Sequence, residues 1–232
     1  MPRQARVIIP NTPHHIVQRG HNRQVVFTSN DDFSFYKENL THYKEEFGCE
    51  VYAYCFMSNH VHLLIDPGDE PESISLTIKR VAGRQTRYVN KLKKRTGSLW
   101  EGRFKSSVVS TQEYLLVCCR YIELNPLRAA MVSKLSEYRW SSYTCKTNGQ
   151  EDKLIDFDSQ YMGLGNNALD RQSAYKKFMK DSIPESELKV IREALQRGQL
   201  TGSEKFRREI LNKHGVRVSN KGRGRPNKRG QN

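Results

Sequence analysis

The runs Val51 to Met57 and Val61 to Asp66 are apolar, β-branched or aromatic almost throughout, and little more than Ser58-Asn59 separates them. No other feature constrains the chain as much. Segments this short and this apolar, joined by a tight polar connection, form two adjacent antiparallel strands of a buried hairpin. The rest of the first 145 residues must cover that hairpin.

The flanking pattern alternates. His14 to Arg19 reads as a short strand. Asp31 to Phe47 carries Phe33, Tyr36, Leu40, Tyr43 and Phe47 at helical spacing behind possible caps at Ser29 to Asp32. Pro71 to Arg95 is a long amphipathic helix with Ile74, Ile78, Val81, Tyr88 and Leu92 on one face, and Phe104 to Ser110 is a further strand. Thr111 opens a helix that runs to about Glu123 and is stopped by Asn125-Pro126. The order β-α-β-β-α-β plus a terminal helix predicts an α+β, ferredoxin-like split βαβ sandwich, an antiparallel sheet with helices on one face.

Residues 1–148 form this unit. Residues 149–168, rich in Gly, Asp and Asn, read as a linker or irregular wrap. Residues 169–214 hold a small helical module: Leu169 to Lys180, Pro184 to Arg197 after a Ser182…Glu185 capping box, and Glu204 to Lys213 after Thr201…Glu204. Residues 215–232 contain six basic residues and no acidic one, and are expected to be disordered alone.

Composition narrows the function classes. No apolar run approaches the ~18 residues that cross a bilayer, and Val7–Ile9 before Pro10 is too short for a secretory signal, so a cytoplasmic protein is expected. Cys49, Cys55, Cys118, Cys119 and Cys145 form no C-x-x-C pair and read as reduced core thiols. With 39 Lys+Arg against 25 Asp+Glu, a net charge of +14 makes nucleic acid the first partner to consider.

The chemistry gathers at two places. His60 and His62 are two residues apart on a strand and so share a face, on a rigid element. An H-x-H beside a turn is more often a hydrogen-bonded surface feature than a metal site. Tyr121 and Asn125 are four residues apart on a helix and also share a face, although a tyrosine on an amphipathic helix is usually core. Two imidazoles and an amide oxygen leave open positions on a hard divalent ion, Mg²⁺ or Mn²⁺, which can polarise a phosphate oxygen for attack by a phenol. Tyr114 is a rival nucleophile on the same face, but its i+4 neighbour is Cys118, which offers no hard ligand.

The runs Cys55-Phe56-Met57-Ser58-Asn59-His60-Val61-His62-Leu63-Leu64-Ile65, Leu99-Trp100-Glu101-Gly102-Arg103-Phe104 and Arg120-Tyr121-Ile122-Glu123-Leu124-Asn125-Pro126-Leu127-Arg128 together resemble the single-tyrosine HUH transposases. Within that insertion-sequence-200-like superfamily the chain is most similar to the REP-associated tyrosine transposases, over about residues 5 to 145. The resemblance implies a ferredoxin-like fold, His60 and His62 as metal ligands, Tyr121 as nucleophile and Asn125 as third ligand. Glutamine is common at that third position in the wider superfamily. It also implies metal-assisted transesterification on single-stranded DNA hairpins through a 5′-phosphotyrosine link. A hairpin-binding regulatory protein without turnover and a replication-initiator nuclease are the alternatives; the first predicts loss of a catalytic group, and none of the four is lost. Monomer or homodimer stays open.

The DNA itself has two candidate tracks. Arg80, Arg84, Arg87, Lys91 and Arg95 recur at helical spacing as a basic stripe, continued by Arg103 and Lys105. A second basic patch at His14, His15, Arg19, His21 and Arg23 is read as contacting a hairpin foot or flanking bases. The tail Lys221-Gly222-Arg223-Gly224-Arg225-Pro226 is similar to an AT-hook, whose arginines, here Arg223 and Arg225, enter the narrow minor groove of an A·T-rich duplex.

Overall fold

The computed structural model of the chain describes residues 6–181 and 183–215. Its strands are β1 (His14–Arg19), β2 (Glu50–Met57), β3 (His60–Asp66), β4 (Lys105–Val109) and β5 (Leu200–Thr201). The helices are α1 (Asn30–Glu46), α2 (Ser73–Leu92), α3 (Thr111–Glu123), α4 (Asn125–Arg128), α5 (Tyr143–Asn148), α6 (Ser159–Met162), α7 (Ala168–Lys180), α8 (Glu185–Arg197) and α9 (Glu204–His214). The hairpin forms as expected, with Met57 opposite His60 and Cys55 opposite His62.

The sheet order is β2-β3-β1-β4-β5. Each of its first four strands runs antiparallel to its neighbours among them, the ferredoxin-like arrangement. Two features go beyond the expected antiparallel sheet with helices on one face. β5 adds to the edge of β4 in parallel, which makes the sheet mixed. The second is α3, which covers the opposite face from α1 and α2. Tyr36 of α1 meets Phe56 of β2 with ring centroids 5.1 Å apart, whereas Tyr121 of α3 meets His62, opposite Cys55, on the other side of the sheet. Both faces are therefore covered, which is why β2 and β3 bury nearly every residue rather than alternate.

Local chemistry fixes the elements. Ser29 and Asp32 form a reciprocal capping box at the start of α1. Gln85 of α2 donates to Asp32 O, and the Trp100 indole donates to Ala82 O, tying the two helices and the loop after α2 together. Segment 149–168 wraps the core: Leu154 and Ile155 are buried, and Asp156 accepts from Val51 N and from the buried Lys44. Tyr161 of this segment, and Tyr175, Met179 and Ile191 beyond it, join the same apolar cluster as the sheet. Asn167 caps α7. Ser182 of the first expected box lies outside the described residues, and Thr201 of the second does not cap its helix. Pro184 precedes α8 without a side-chain cap, while Thr201 belongs to β5 and Ser203 caps α9, bound in turn to Glu113 of α3. All five cysteines are buried and unpaired. Among the described residues no helix is long and apolar enough to cross a membrane. The AT-hook-like stretch lies outside the described residues.

Candidate functional site

The turn that carries His60 is held from outside the hairpin. Val26 N and Phe27 N donate to Ser58 O, Gly20 N donates to Asn59 O at 2.8 Å, and Asn59 Nδ2 donates to Arg23 O. A Cβ at Gly20 would lie 2.3 Å from Gln24 O, so only glycine lets the end of β1 approach this closely. His60 and His62 emerge from β3 on one face with ring centroids 5.0 Å apart. Val17 of β1 is opposite His62, and His15 is its diagonal neighbour on the same face. His15 Nε2 and His62 Nδ1 are 2.9 Å apart.

Tyr121 comes down onto this face from α3. Its ring centroid is 5.6 Å from that of His15 and 6.0 Å from that of His62, both edge-on. It is 7% exposed, and its hydroxyl has no hydrogen-bond partner among the described residues. The guanidinium of Arg128 on α4 lies 4.9 Å from the Tyr121 ring centroid. One turn after Tyr121, the Asn125 side-chain amide donates to Tyr121 O and Ile122 O, which leaves its Oδ1 unengaged by these bonds. Tyr114 sits two turns earlier on α3, near Glu187 and Arg207, away from the histidines.

Electrostatics keep the rings neutral. Burial lowers His15 to about 3. Burial, with the charge of Arg19 nearby, lowers His60 to about 4. Burial first, then His15, His60 and Arg128, hold His62 well below the usual imidazole range. Neutral imidazoles are the form that binds a metal. Each has its Nδ1 engaged: His60 with Asn59 Oδ1 at 2.6 Å, His62 with His15. Their Nε2 atoms have no hydrogen-bond partner among the described residues. Imidazole nitrogens of His60 and His62 and an amide oxygen such as Asn125 Oδ1 are donor types that suit a divalent cation with open positions. Among the described residues, no cluster of three or more His, Cys, Asp or Glu side chains could hold a metal, and this donor set counts only two such groups.

The structure sorts the expected DNA contacts. Lys105 pairs in register with Val17 and so lies on the face of His62 and Tyr121. Arg103 is exposed beside it. Arg80, Arg84, Arg87 and Lys91 are exposed on α2, across the sheet from Tyr121, where Arg84, Arg87 and Lys91 line a shallow cleft with the stacked rings of Phe35 and Tyr88. Arg95 donates to Gln24 Oε1 and Ser98 O and ties the loop after α2 to the segment that follows β1. Arg223 and Arg225 fall outside the described residues.

The N-terminal patch is corrected in part. His14 and His15 are fully buried, because β1 is a central strand covered on both faces, so they are not surface contacts. Arg19 stays half-exposed and pairs with Glu101 at 2.7 Å. Sequence reasoning missed His15 and Arg128 as members of the site. Arg128 had a usable signal, seven residues or about two helical turns after Tyr121; His15 had none, since strand alternation cannot show which neighbour a ring will meet.

Comparisons with known proteins agree with this architecture. The family described as "Transposase IS200 like" matches residues 9–125. A Haemophilus influenzae protein described as "Putative REP-associated tyrosine transposase" is 24% identical over 123 residues, covering 49% of this chain and 68% of that one. The chain is similar in fold to a solved REP-associated tyrosine transposase bound to a REP hairpin, with TM-score 0.56 and 16% identity over 68% of this chain and 93% of the other.

Proposed function

This chain belongs to the IS200-like transposase family, and on that premise we propose that it cleaves and rejoins single-stranded DNA beside hairpins of the REP or palindromic type, with Tyr121 as nucleophile and a divalent cation, Mg²⁺ or Mn²⁺, as cofactor. The observation that carries the proposal is the Tyr121 ring set edge-on against His15 and His62, with the Arg128 guanidinium over it. A phenol, two neutral imidazoles and the side chains of Arg128 and Lys105 share one face of the sheet.

The Tyr121 oxygen forms the new bond to phosphorus, and the 3′-oxygen of the preceding nucleotide leaves, giving a 5′-phosphotyrosine link and a free 3′-hydroxyl. Attack by a new 3′-hydroxyl reverses the step and joins strands without an external energy source. His60, His62 and Asn125 would hold the cation, which supplies polarisation of the scissile phosphate. Arg128 and Lys105 would place positive charge around the phosphate on this face. The exposed stripe of α2 offers a second track for backbone phosphates, and its Phe35–Tyr88 pair offers a flat apolar surface. The tail around Arg223 and Arg225 would add contacts to an A·T-rich duplex.

The test is incubation with a labelled single-stranded hairpin library, with Mg²⁺, Mn²⁺ or chelator, followed by denaturing gel and mass spectrometry. A cation-dependent adduct on Tyr121 is the expected result. Full cleavage by Tyr121→Phe with loss in Tyr114→Phe would assign the nucleophile elsewhere. Tight binding with no adduct across the library would make the chain a hairpin-binding protein without turnover.

A further inference from the structure

We propose that His15 is a positioning residue: it accepts the Nδ1–H of His62 and thereby leaves the Nε2 lone pair of His62 on the side of His60 and Tyr121. The inference rests on the reading of His60 and His62 as cation ligands.

The contact is a defined hydrogen bond. His15 Nε2 is 2.9 Å from His62 Nδ1, and the rings stack with centroids 5.2 Å apart at an interplanar angle of 25°. Such a bond needs a hydrogen on one nitrogen and a lone pair on the other, and a neutral imidazole carries one of each. Two assignments follow. If His15 donates, His62 carries its hydrogen on Nε2 and cannot ligate through that atom. If His62 donates, its Nε2 is free.

His60 selects between them. Its Nδ1 lies 2.6 Å from Asn59 Oδ1, an oxygen that only accepts, so His60 carries its hydrogen on Nδ1 and offers Nε2. A cation held by both rings requires the same tautomer of His62, and the acceptor for that Nδ1–H is His15. A ligand imidazole whose second nitrogen is fixed by a neighbouring acceptor is the general arrangement of metal sites.

His14 shows what a purely structural histidine looks like in the same strand. It is equally buried, but its Nδ1 lies 2.7 Å from Thr12 O and its Nε2 accepts from Ile9 N, so both nitrogens are used within the segment leading into β1. His15 is different. Its Nδ1 is buried with no partner, and its polar contact reaches 47 residues along the chain to the candidate ligand. A ring buried only to fill space would not need that unpaired nitrogen.

The test reads the tautomer and the cation directly, on the full chain. In metal-free wild-type protein with ¹⁵N-labelled histidine, long-range ¹H–¹⁵N spectra should show His62 protonated on Nδ1; protonation on Nε2 overturns the inference. In calorimetric titration with Mn²⁺, His15→Phe should bind about 10- to 100-fold more weakly than wild type, whereas His15→Gln, whose Oε1 can accept from His62, should recover to within a few-fold. Unchanged Mn²⁺ affinity in His15→Phe overturns the proposal. If His60→Ala binds Mn²⁺ as tightly as wild type, the cation reading beneath it fails, and that failure is distinguishable because the His62 tautomer is read without metal. Should His15→Phe not fold, the wild-type tautomer and the His15→Gln titration still decide.

Discussion

Helix α3 separates two clusters of buried polar side chains that differ in one respect: around Glu123 both carboxylate oxygens are bound by donors, whereas around Tyr121 polar atoms are left open. Cys119 and Glu123 are one turn apart on the helix, and Tyr121 is about 200° around from Glu123. On the Glu123 side, Ser142 Oγ donates to one carboxylate oxygen at 2.5 Å and Tyr175 OH to the other at 2.9 Å. Lys146 Nζ is 3.6 Å from the same carboxylate and donates to Cys119 Sγ at 3.2 Å. Burial opposes the charge on Lys146, but Cys119, Glu123 and Asp158 around it outweigh that and hold its pKa above the usual lysine value. On the Tyr121 side, His15 Nδ1 and the Tyr121 hydroxyl have no partner among the described residues. A closed buried network specifies shape, whereas one with unfilled valences has capacity left for a ligand.

The sharpest way to break this comparison is to remove one hydroxyl from each cluster. Tyr121→Phe should reduce adduct formation by more than about a thousandfold, roughly 4 kcal/mol of barrier, while leaving the urea midpoint where it was. Tyr175→Phe should do the reverse, keeping cleavage per folded molecule and lowering stability by about 1–3 kcal/mol, because Glu123 loses a buried donor. The contrast collapses if Tyr121→Phe unfolds the chain, or if Tyr175→Phe stays folded and cannot cleave.

Charge removal sharpens it further. Lys146→Met leaves the fully buried Glu123 without its cation and should cost about 3–5 kcal/mol in urea unfolding. Adding Glu123→Gln to that variant should recover part of the loss, since the uncharged amide accepts from one of the Ser142 and Tyr175 hydroxyls and donates to the other. Equal instability of the single and double variants would mean that packing, not charge pairing, is what Lys146 contributes.

These two clusters were unequally legible in the sequence. His60, His62, Tyr121 and Asn125 could be placed because each pair has a spacing that a strand or a helix converts into a shared face. The Glu123–Lys146 pair offers no such spacing: 23 residues and a helix break separate them, and each alone reads as a surface charge. The strands and helices of the first 145 residues followed from periodicity. β5 did not, because a two-residue strand has no period, and its place on the edge of β4 is set by packing of α8 and α9. The burial of β1 on both faces likewise depended on where α3 would lie, so His14 and His15 looked like part of a basic surface.

The smallest effect tests the electrostatic side of the open cluster. Burial lowers His14 to about 4 and His15 to about 3, and burial with Arg19 lowers His60 to about 4, against about 6.5 in the unfolded chain. Between pH 6.5 and 4 the unfolded state therefore binds more protons than the folded state at these rings, so their contribution to stability is present above pH 6.5 and is lost as pH falls. Asp66 acts in the opposite sense: burial raises its carboxyl to about 6, so the folded state binds the extra proton there and gains stability as pH falls below that value. Three rings outweigh one carboxyl, and the net loss from pH 6.5 to 4.5 should be on the order of a few kcal/mol in metal-free protein. Unfolding free energies at pH 4.5, 5.5, 6.5 and 7.5 measure it. His15→Gln should flatten the slope by removing one proton-refusing ring, and Asp66→Asn should steepen it by removing the opposing acid. Stability that stays level or rises on acidification to pH 4.5 would mean that the histidines of the site are charged in the folded chain, and the cluster would lose the neutral imidazoles on which its reading as a cation site depends.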